Sequence, residues 1–250
     1  MFESFFSSRQ TKSSELPMLE GALPCKIAVV IPALNEEAGI GTVLSQIKNV
    51  LAPLNYSTIV VDGNSIDKTF EIAKNEGADL ICQKGKGYGN ALKEGFSYAC
   101  NEKLADIVVM MDADGTYDAK DIPSLIVPIL SNEADVVVGN RFQGMETGAM
   151  SLINIFGNKL ISLVVRLMVG IKVSDTQSGM RAIRANLLNR TLIESEGMPF
   201  ATEMFPKFKK EGARFAEISI SYRVRKGNSK LNPFRDGFRI FKVIFEYVGK

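Results

Sequence analysis

Five short, largely apolar runs alternate with amphipathic segments between residues 26 and 138 of this 250-residue chain. The runs are rich in Val and Ile, as is typical of strands buried on both faces of a parallel sheet. Between them, apolar residues recur at helical spacing, for example at Ile40, Val43, Leu44 and Ile47. This alternation predicts an α/β fold, a mostly parallel sheet with helices on both faces. The predicted strands are residues 27–31, 58–61, 78–82, 107–111 and 135–138, and the predicted helices are 35–52, 66–75, 87–102 and 120–130.

The second half of the chain departs from this pattern. Residues 149–171 are largely apolar and long enough to span a bilayer, but they include Lys159 and Arg166. Each central charge costs about 2.5–3.5 kcal/mol on insertion scales. We therefore expect a partly buried or interfacial helix and no clear transmembrane helix. A helix over residues 202–211 and an edge strand over residues 215–222 are also predicted.

The C-terminal fifth of the chain is basic. From Glu203 onward it has 12 Lys and Arg against 5 Asp and Glu, although the whole chain has a net charge of only +2. This suggests a phosphate-bearing or membrane-surface partner, with a solvated basic face as the alternative. A final helix over residues 233–248 mixes phenylalanines with basic residues, as in helices that lie on anionic lipid. Packing onto the domain or onto a second subunit, as a homo-oligomer, is the alternative.

The composition excludes several classes of site. The chain has no histidine, so it contains no Ser-His-Asp triad, Cys-His pair or His-bound zinc. Three cysteines without a CxxC spacing indicate reduced thiols in an intracellular protein. We expect residues 1–24 to form a flexible tail without a secretory signal. We expect a cytoplasmic protein that is not secreted and has no nucleic-acid partner.

Asp112-Ala113-Asp114 follows the fourth predicted strand and is the sharpest chemical signal. Ligands of open parallel sheets bind beyond the carboxyl ends of the strands. Two carboxylates at i and i+2 point the same way if the chain stays extended. Hard divalent cations take such oxygen ligands and fill other positions with substrate phosphates. The alternative is a capped turn, in which Asp118 and Asp121 begin the next helix.

Other strand ends add candidate ligand-binding residues. Asp62, at the end of the second strand, is suited to hold a base or a ribose. Lys86 lies in the run KGKGYG (residues 84–89), whose lysines and backbone N–H groups are suited to phosphate. This run is neither GxGxxG nor GxxxxGK[ST], which argues against a dehydrogenase and a P-loop ATPase. Arg141 could pair bidentately with a diphosphate, or it could be a surface arginine.

Seven motifs in order resemble those of family 2 glycosyltransferases with the GT-A fold, and among these the dolichyl-phosphate (polyprenyl-phosphate) sugar synthases. The motifs are VVIPALNEE (29–37), VVDGNS (60–65), DADG (112–115), GNRF (139–142), SDTQSGMRA (174–182), FATEMF (200–205) and GNSKL (227–231). The resemblance implies a GT-A catalytic domain over residues 25–232, after the tail (1–24) and before an amphipathic basic helix (233–250).

The resemblance also implies a role for each site residue. Donor-binding roles fall to Pro32, Leu34, Glu36, Asp62, Lys86, Asp112, Ala113 and Asp114. The metal ligands would be Asp112, Asp114 (the direct ligand) and Thr116, for Mg²⁺ or Mn²⁺. Phosphate or acceptor contacts fall to Arg141, Lys159, Arg225 and Lys230, and the catalytic set is Asp112, Asp114, Arg141 and Asp175. Val224 stands where the family has an arginine six residues before Lys230, so Arg223 or Arg225 must serve.

The implied reaction is inverting transfer of a sugar to dolichyl or polyprenyl phosphate at a membrane surface, by a peripheral protein on its cytoplasmic face. UDP-glucose or UDP-N-acetylglucosamine is the favoured donor, and GDP-mannose is the alternative. Because the second pKa of a phosphate monoester is about 6, no general base is needed. A hydroxyl acceptor would need one, and Asp175 would be the candidate. A sugar-nucleotide pyrophosphorylase and a non-enzymatic lipid- or anion-binding module are the remaining alternatives.

Overall fold

The computed structural model describes residues 25–226 as one seven-stranded sheet flanked by helices. The strands are β1 (Ile27–Ala33), β2 (Tyr56–Asp62), β3 (Asp79–Cys82), β4 (Ile107–Met110), β5 (Val136–Met145), β6 (Arg181–Arg184) and β7 (Phe215–Tyr222). The helices are α1 (Ile40–Leu51), α2 (Thr69–Asn75), α3 (Tyr88–Asn101), α4 (Ile122–Leu130), α5 (Leu152–Val169), α6 (Ala185–Arg190) and α7 (Phe200–Lys210), and a 3₁₀ turn (Ala119–Asp121) precedes α4. The predicted tail, the final helix and Lys230 lie outside the described residues.

The sheet has the order β3-β2-β1-β4-β6-β5-β7. Neighbouring strands are parallel except at β6, which is antiparallel to both β4 and β5. The prediction of a mostly parallel α/β sheet is confirmed, and β7 is an edge strand as expected. Strands β2 and β3 are added on one side of β1, and β4 is added on the other side, so the direction of strand addition reverses at β1. Ligands of such sheets bind at this reversal, beyond the carboxyl ends of the strands.

Two elements were not predicted. β6 is only four residues long and has arginines at both ends, so it lacks the apolar run that marked the other strands. Helix α6 follows it directly and has six residues, too few for a clear helical repeat. Strand β5 also continues to Met145, well beyond the predicted end at residue 138, because its second part pairs with β7.

The first two helices begin later than predicted. α1 begins at Ile40, whereas the prediction began at residue 35, and α2 begins at Thr69, whereas the prediction began at residue 66. Asn35 has a positive φ of 51°, which a helix does not allow. Its backbone N–H donates to Ser65 Oγ at 2.9 Å, and its Oδ1 accepts from Ile66 N at 2.8 Å. These bonds hold both segments as linked turns at the strand ends.

Helix α5 has an exposed apolar face. It buries Ile161, Ser162 and Val165, whereas Phe156 is 71% exposed and Leu167 is 75% exposed. Within residues 25–226 it is the one helix long and apolar enough to cross a membrane, and 17% of it is buried. The low share of buried residues shows that α5 is not a core helix of the described domain, and an interfacial position stays a prediction.

Candidate active site

The carboxyl ends of β1, β2 and β4 meet at one edge of the sheet. Gly63 N donates to Ala33 O at 2.8 Å, and Met111 N donates to Val30 O at 3.1 Å, so the three strand ends are in register. A β-carbon added to Gly39 would lie 2.6 Å from Ala113 O, which brings the turn before α1 against the turn after β4. The predicted donor-binding residues at these ends are thus brought together, as expected from the sequence. These residues are Pro32, Leu34, Glu36, Asp62, Asp112, Ala113 and Asp114.

Asp62 has one unsatisfied oxygen. The residue is 4% exposed, and its Oδ2 accepts from Ser65 N at 3.1 Å. Its Oδ1 is buried and has no hydrogen-bond partner among the described residues. A buried acceptor left unpaired is costly, so it favours a ligand that brings an N–H or O–H donor. This agrees with the predicted contact to a base or ribose, which stays a prediction.

The condition that the chain stays extended through Asp112 and Asp114 is not met. The backbone forms a turn at residues 113–114, and Gly115 has a positive φ of 76°. Asp112 Oδ1 accepts from the Tyr88 hydroxyl at 3.0 Å, whereas Asp114 Oδ1 accepts from Thr116 Oγ1 at 2.7 Å. Thr116, predicted as a weak metal ligand, therefore orients Asp114 through its hydroxyl.

The two carboxylates suit a hard cation that also binds substrate. Within residues 25–226, no group of three or more Cys, Asp and Glu is arranged to hold a metal ion. A cation here would depend on Asp112 and Asp114 and would take further oxygens from a diphosphate, as Mg²⁺ does in many phosphate-binding enzymes. The residues present therefore fit a divalent cation that takes its remaining ligands from a bound diphosphate and water.

Asp112 has a raised pKa. Burial, and then the charge of Asp114, raise the pKa of Asp112 to about 7, although the hydrogen bond from Tyr88 acts to lower it. Below this pKa a proton and a cation compete for the carboxylate. We expect Mn²⁺ affinity to fall about tenfold for each pH unit below 7 and to level off above it. Mn²⁺ titrations between about pH 5.5 and 8 measure this.

Substitution of Tyr88 tests whether Asp112 is the group that titrates. Tyr88→Phe removes a hydrogen bond that favours the ionised form of Asp112, so it should move the midpoint to higher pH. Tyr98→Phe is the matched control, because Tyr98 lies in the same helix but contacts Lys103. Mn²⁺ affinity that does not vary with pH would contradict the assignment of Asp112.

The backbone of Gly179 packs closely beside the Asp112 carboxylate. A β-carbon at this position would overlap Asp112 Oδ2, so the turn before β6 packs its backbone directly against the carboxylate. Tyr117 fixes that turn, since its hydroxyl accepts from Gly179 N at 2.6 Å. The motif SDTQSG thus contacts DADG through a glycine.

Gly179→Ala should therefore disturb the site. Overpacking of this kind typically costs about 1–3 kcal/mol in free energy of unfolding, and displacement of Asp112 should weaken Mn²⁺ binding several-fold. Thermal denaturation and Mn²⁺ titration measure both effects. Gly157→Ala is the control, because nothing lies within 4 Å of its added β-carbon in α5. Equal effects of the two substitutions would exclude steric contact with Asp112 as the cause.

Arg141 and Asp175 form a buried ion pair. Arg141 Nε and Nη2 each donate to a different Asp175 oxygen at 2.8 Å. Burial acts to lower the pKa of Arg141, but the charge of Asp175 and neighbouring tyrosines outweigh it and raise the pKa above its usual value. Glu217 fixes the turn by accepting from Asp175 N at 2.8 Å. Asp175 is poorly placed to take a proton in this arrangement, and the predicted roles of both residues stay predictions.

The remaining predicted cations lie in different surroundings. Arg225 contacts Glu36 and Asp114 and so lies between two predicted donor-binding residues. Lys159 is exposed on α5, with its Nζ 5.2 Å from the centre of the Phe142 ring. Lys86 is exposed as well. The backbone N–H groups of Lys84 and Gly85 donate to Glu94, and the phosphate contact predicted for the run around Lys86 stays a prediction.

Sequence reasoning missed three supporting residues. Tyr88 and Tyr117 bind Asp112 and Gly179, as described above. Arg181 is fully buried and donates to the carbonyls of Thr176, Ser178 and Ala201, which ties the SDTQSG turn to α7. Burial lowers the pKa of Arg181 to about 10. Each follows a strand end or lies inside a motif, but only the tertiary contacts identify a role.

The sequence of this chain matches a known protein family. Residues 28–192 match the family described as Glycosyl transferase family 2, which is more than half of the chain. The chain belongs to glycosyl transferase family 2. The family inferred from the seven motifs is confirmed.

Similar family 2 proteins include archaeal hexosyltransferases. The chain is 36% identical to the low-salt glycan biosynthesis hexosyltransferase Agl6 of Haloferax volcanii, over 85% of this chain and 51% of Agl6. It therefore spans only about half of that relative. It is 35% identical to a dolichyl-phosphate hexose transferase of the same organism, over 87% of this chain and 92% of the relative.

The fold is also found in a solved enzyme. Glucosyl-3-phosphoglycerate synthase from Mycobacterium tuberculosis, with phosphoglyceric acid bound, has a TM-score of 0.73 and 23% identity, over 90% of this chain and 80% of that one. This likeness confirms the expected GT-A fold. The same synthase was also crystallised with Mn²⁺, UDP and glucosyl-3-phosphoglycerate.

Proposed function

We propose that this protein transfers a hexose from a UDP-sugar to a polyprenyl phosphate at a membrane surface, with inversion at the anomeric carbon. One observation carries the proposal. The exposed apolar helix α5 is joined to the SDTQSG turn, because Ser162 Oγ accepts from Thr176 N at 3.0 Å. That turn packs against Asp112 through Gly179. An exposed apolar helix and the candidate catalytic carboxylates are therefore joined through one turn, which supports an acceptor that arrives from a lipid surface.

The donor would lie along the ends of β1, β2 and β4. The unpaired Asp62 Oδ1 supports a base or ribose at β2, because such a group would supply the missing donor. The diphosphate would then lie beside residues 112–114, where the carboxylates suit Mg²⁺ or Mn²⁺. When bound, the cation supplies neutralisation of the charge that develops on the leaving nucleoside diphosphate.

The acceptor would be an anion that needs no activation. A phosphate monoester is largely ionised at neutral pH, since its second pKa is about 6. The protein then has to hold two anions in line and balance their charge. Arg141, Lys159, Arg225 and Lys230 are the proposed cations for this task. The engagement of both Asp175 oxygens by Arg141 supports a mechanism without a general base.

The printed names of the relatives are consistent with this proposal. One similar archaeal protein is named a dolichyl-phosphate hexose transferase, and Agl6 is named a hexosyltransferase. Both names specify a hexose, but neither specifies the nucleotide. We favour a UDP-sugar because of the DADG and DTQSG motifs, and GDP-mannose is the alternative to be tested directly.

A transfer assay tests the proposal. Radiolabelled UDP-glucose, UDP-N-acetylglucosamine and GDP-mannose are each incubated with the full chain, dolichyl phosphate in vesicles, and Mn²⁺ or Mg²⁺. We expect label from a UDP-sugar in the organic extract, and none when chelator is present. Label that enters only a water-soluble oligosaccharide would instead indicate a hydroxyl acceptor. Absence of transfer with any donor would overturn the proposal.

Vesicle binding should depend on α5. Phe156→Ser combined with Leu163→Ser removes two exposed apolar side chains from the face proposed to enter the bilayer surface. A buried Phe or Leu contributes about 1.5–3 kcal/mol, so we expect at least a roughly tenfold loss of binding in flotation assays. The control is Ile66→Ser together with Leu104→Ser, which removes two exposed apolar residues outside α5. Equal losses of vesicle binding in both variants would contradict the proposal that α5 binds the membrane surface.

A further inference from the structure

Residues 223–226, here called the strap, follow β7 and lie along the turn that carries Asp114. Arg223 N donates to Thr116 O at 2.8 Å, and Lys226 N donates to Asp114 O at 3.2 Å. The Tyr222 ring, directly before the strap, packs edge-on against Tyr117 at 5.3 Å. The backbone of the strap is therefore fixed across the candidate metal site.

Arg225 extends from the strap between the two ends of the proposed donor site. Its Nη1 lies 3.0 Å from Asp114 Oδ2, and its Nη2 contacts Glu36 Oε1. Its Nε is buried and has no hydrogen-bond partner among residues 25–226. The guanidinium thus joins the proposed nucleotide end of the site to the proposed metal end.

Both Asp114 oxygens are engaged in this arrangement. Oδ1 accepts from Thr116, and Oδ2 pairs with Arg225. A divalent cation that binds Asp114 needs one of these oxygens, and Arg225 already supplies positive charge there. A diphosphate that arrives with the cation offers the guanidinium a new bidentate partner, including its unpaired Nε.

We propose that Arg225 occupies the cation position of the donor-free site and exchanges Asp114 for the donor's diphosphate when metal and nucleotide bind. This inference rests on the proposed function. It makes metal and donor binding interdependent, because the cation alone must displace Arg225 without providing it with another anion. The two ligands therefore strengthen each other, and by linkage each does so by the same factor.

Mn²⁺ binding to the full chain, measured by electron paramagnetic resonance, tests the exchange. The proteins are the wild type, Arg225→Gln and the matched control Arg223→Gln, each with and without UDP. Arg223 lies on the same strap but pairs with Asp118 and Glu146. Without UDP, we expect Arg225→Gln to bind Mn²⁺ at least fivefold more tightly than the wild type and the control.

With UDP, we expect the wild type to bind Mn²⁺ at least tenfold more tightly than without it, and this gain to be much smaller in Arg225→Gln. A residue that only contacts phosphate would leave nucleotide-free Mn²⁺ binding unchanged, and a residue that only supports the fold would weaken it. Either of these results overturns the exchange. If UDP does not strengthen Mn²⁺ binding in the wild type, the proposed donor site fails and the exchange fails with it.

Arg225→Lys keeps the test decisive if Arg225→Gln folds poorly. Lysine retains the positive charge but cannot contact Glu36 and Asp114 with a single planar fork. We expect its nucleotide-free Mn²⁺ affinity to lie between those of the wild type and a neutral residue. Affinity equal to or below that of the wild type would count against displacement of the guanidinium.

Discussion

Asp114→Asn should lower kcat/KM for sugar transfer by about a thousandfold or more, the largest loss that we expect from a single substitution. The change removes the charge proposed to bind the cation and, through it, the leaving diphosphate. Loss of comparable transition-state stabilisation costs about 4 kcal/mol, which corresponds to this factor. The fold should persist, because an asparagine oxygen can still accept from Thr116. Initial rates over a range of UDP-sugar concentrations measure the effect.

Asp118→Asn is the control for this loss. Asp118 follows the same strand and is also buried, but it accepts from Lys120 N and pairs with Arg223, whereas Asp114 pairs with Arg225. We expect it to retain activity within several-fold. If Asp114→Asn kept more than about a tenth of the wild-type kcat/KM, Asp114 would not be the metal ligand.

Asp175→Ala should produce the largest loss of stability. Asp175 is 0% exposed, and its removal leaves the buried Arg141 guanidinium without a counter-charge. Removal of one partner from a buried ion pair costs about 3–5 kcal/mol in free energy of unfolding. For a chain of this size each kcal/mol lowers Tm by about 2–4 °C, so a fall of roughly 6–20 °C is expected. Thermal and urea denaturation give the two quantities.

A surface ion pair provides the comparison. Asp79 pairs with Lys103 at 2.7 Å, but both side chains are partly exposed. Asp79→Ala should therefore cost less than about 1 kcal/mol. If the two substitutions were equally destabilising, burial of the Arg141–Asp175 pair would not be the cause of its effect.

The sequence was informative wherever local pattern decides structure. Apolar strands that end in polar residues predicted both the sheet and the meeting of Glu36, Asp62 and Asp112 at one edge, because parallel strands end on the same side. β6 was missed because RAIR has no apolar run and is stabilised by pairing with β4 and β5. The late starts of α1 and α2 were missed because bonds between two distant turns override their helical pattern.

The contacts within the site could not be predicted from spacing. Arg141 and Asp175 are 34 residues apart, and only the placement of β5 beside β6 brings them together. Tyr88 is the first residue of α3 and donates to Asp112, which follows β4, and nothing in the run KGKGYG predicts this contact. The resemblance named Arg141 and Asp175 separately as site residues, but the structure adds that they pair with each other.

The reversal of one strand also determines which turn lies beside the candidate carboxylates. β6 runs against its neighbours, so its first residue, Arg181, lies opposite the last residue of β4, Met110. The turn that precedes β6 consequently arrives at the same rim where the other strands finish. A single antiparallel strand within one sheet therefore holds the backbone of Gly179 against the Asp112 carboxylate, without a second domain.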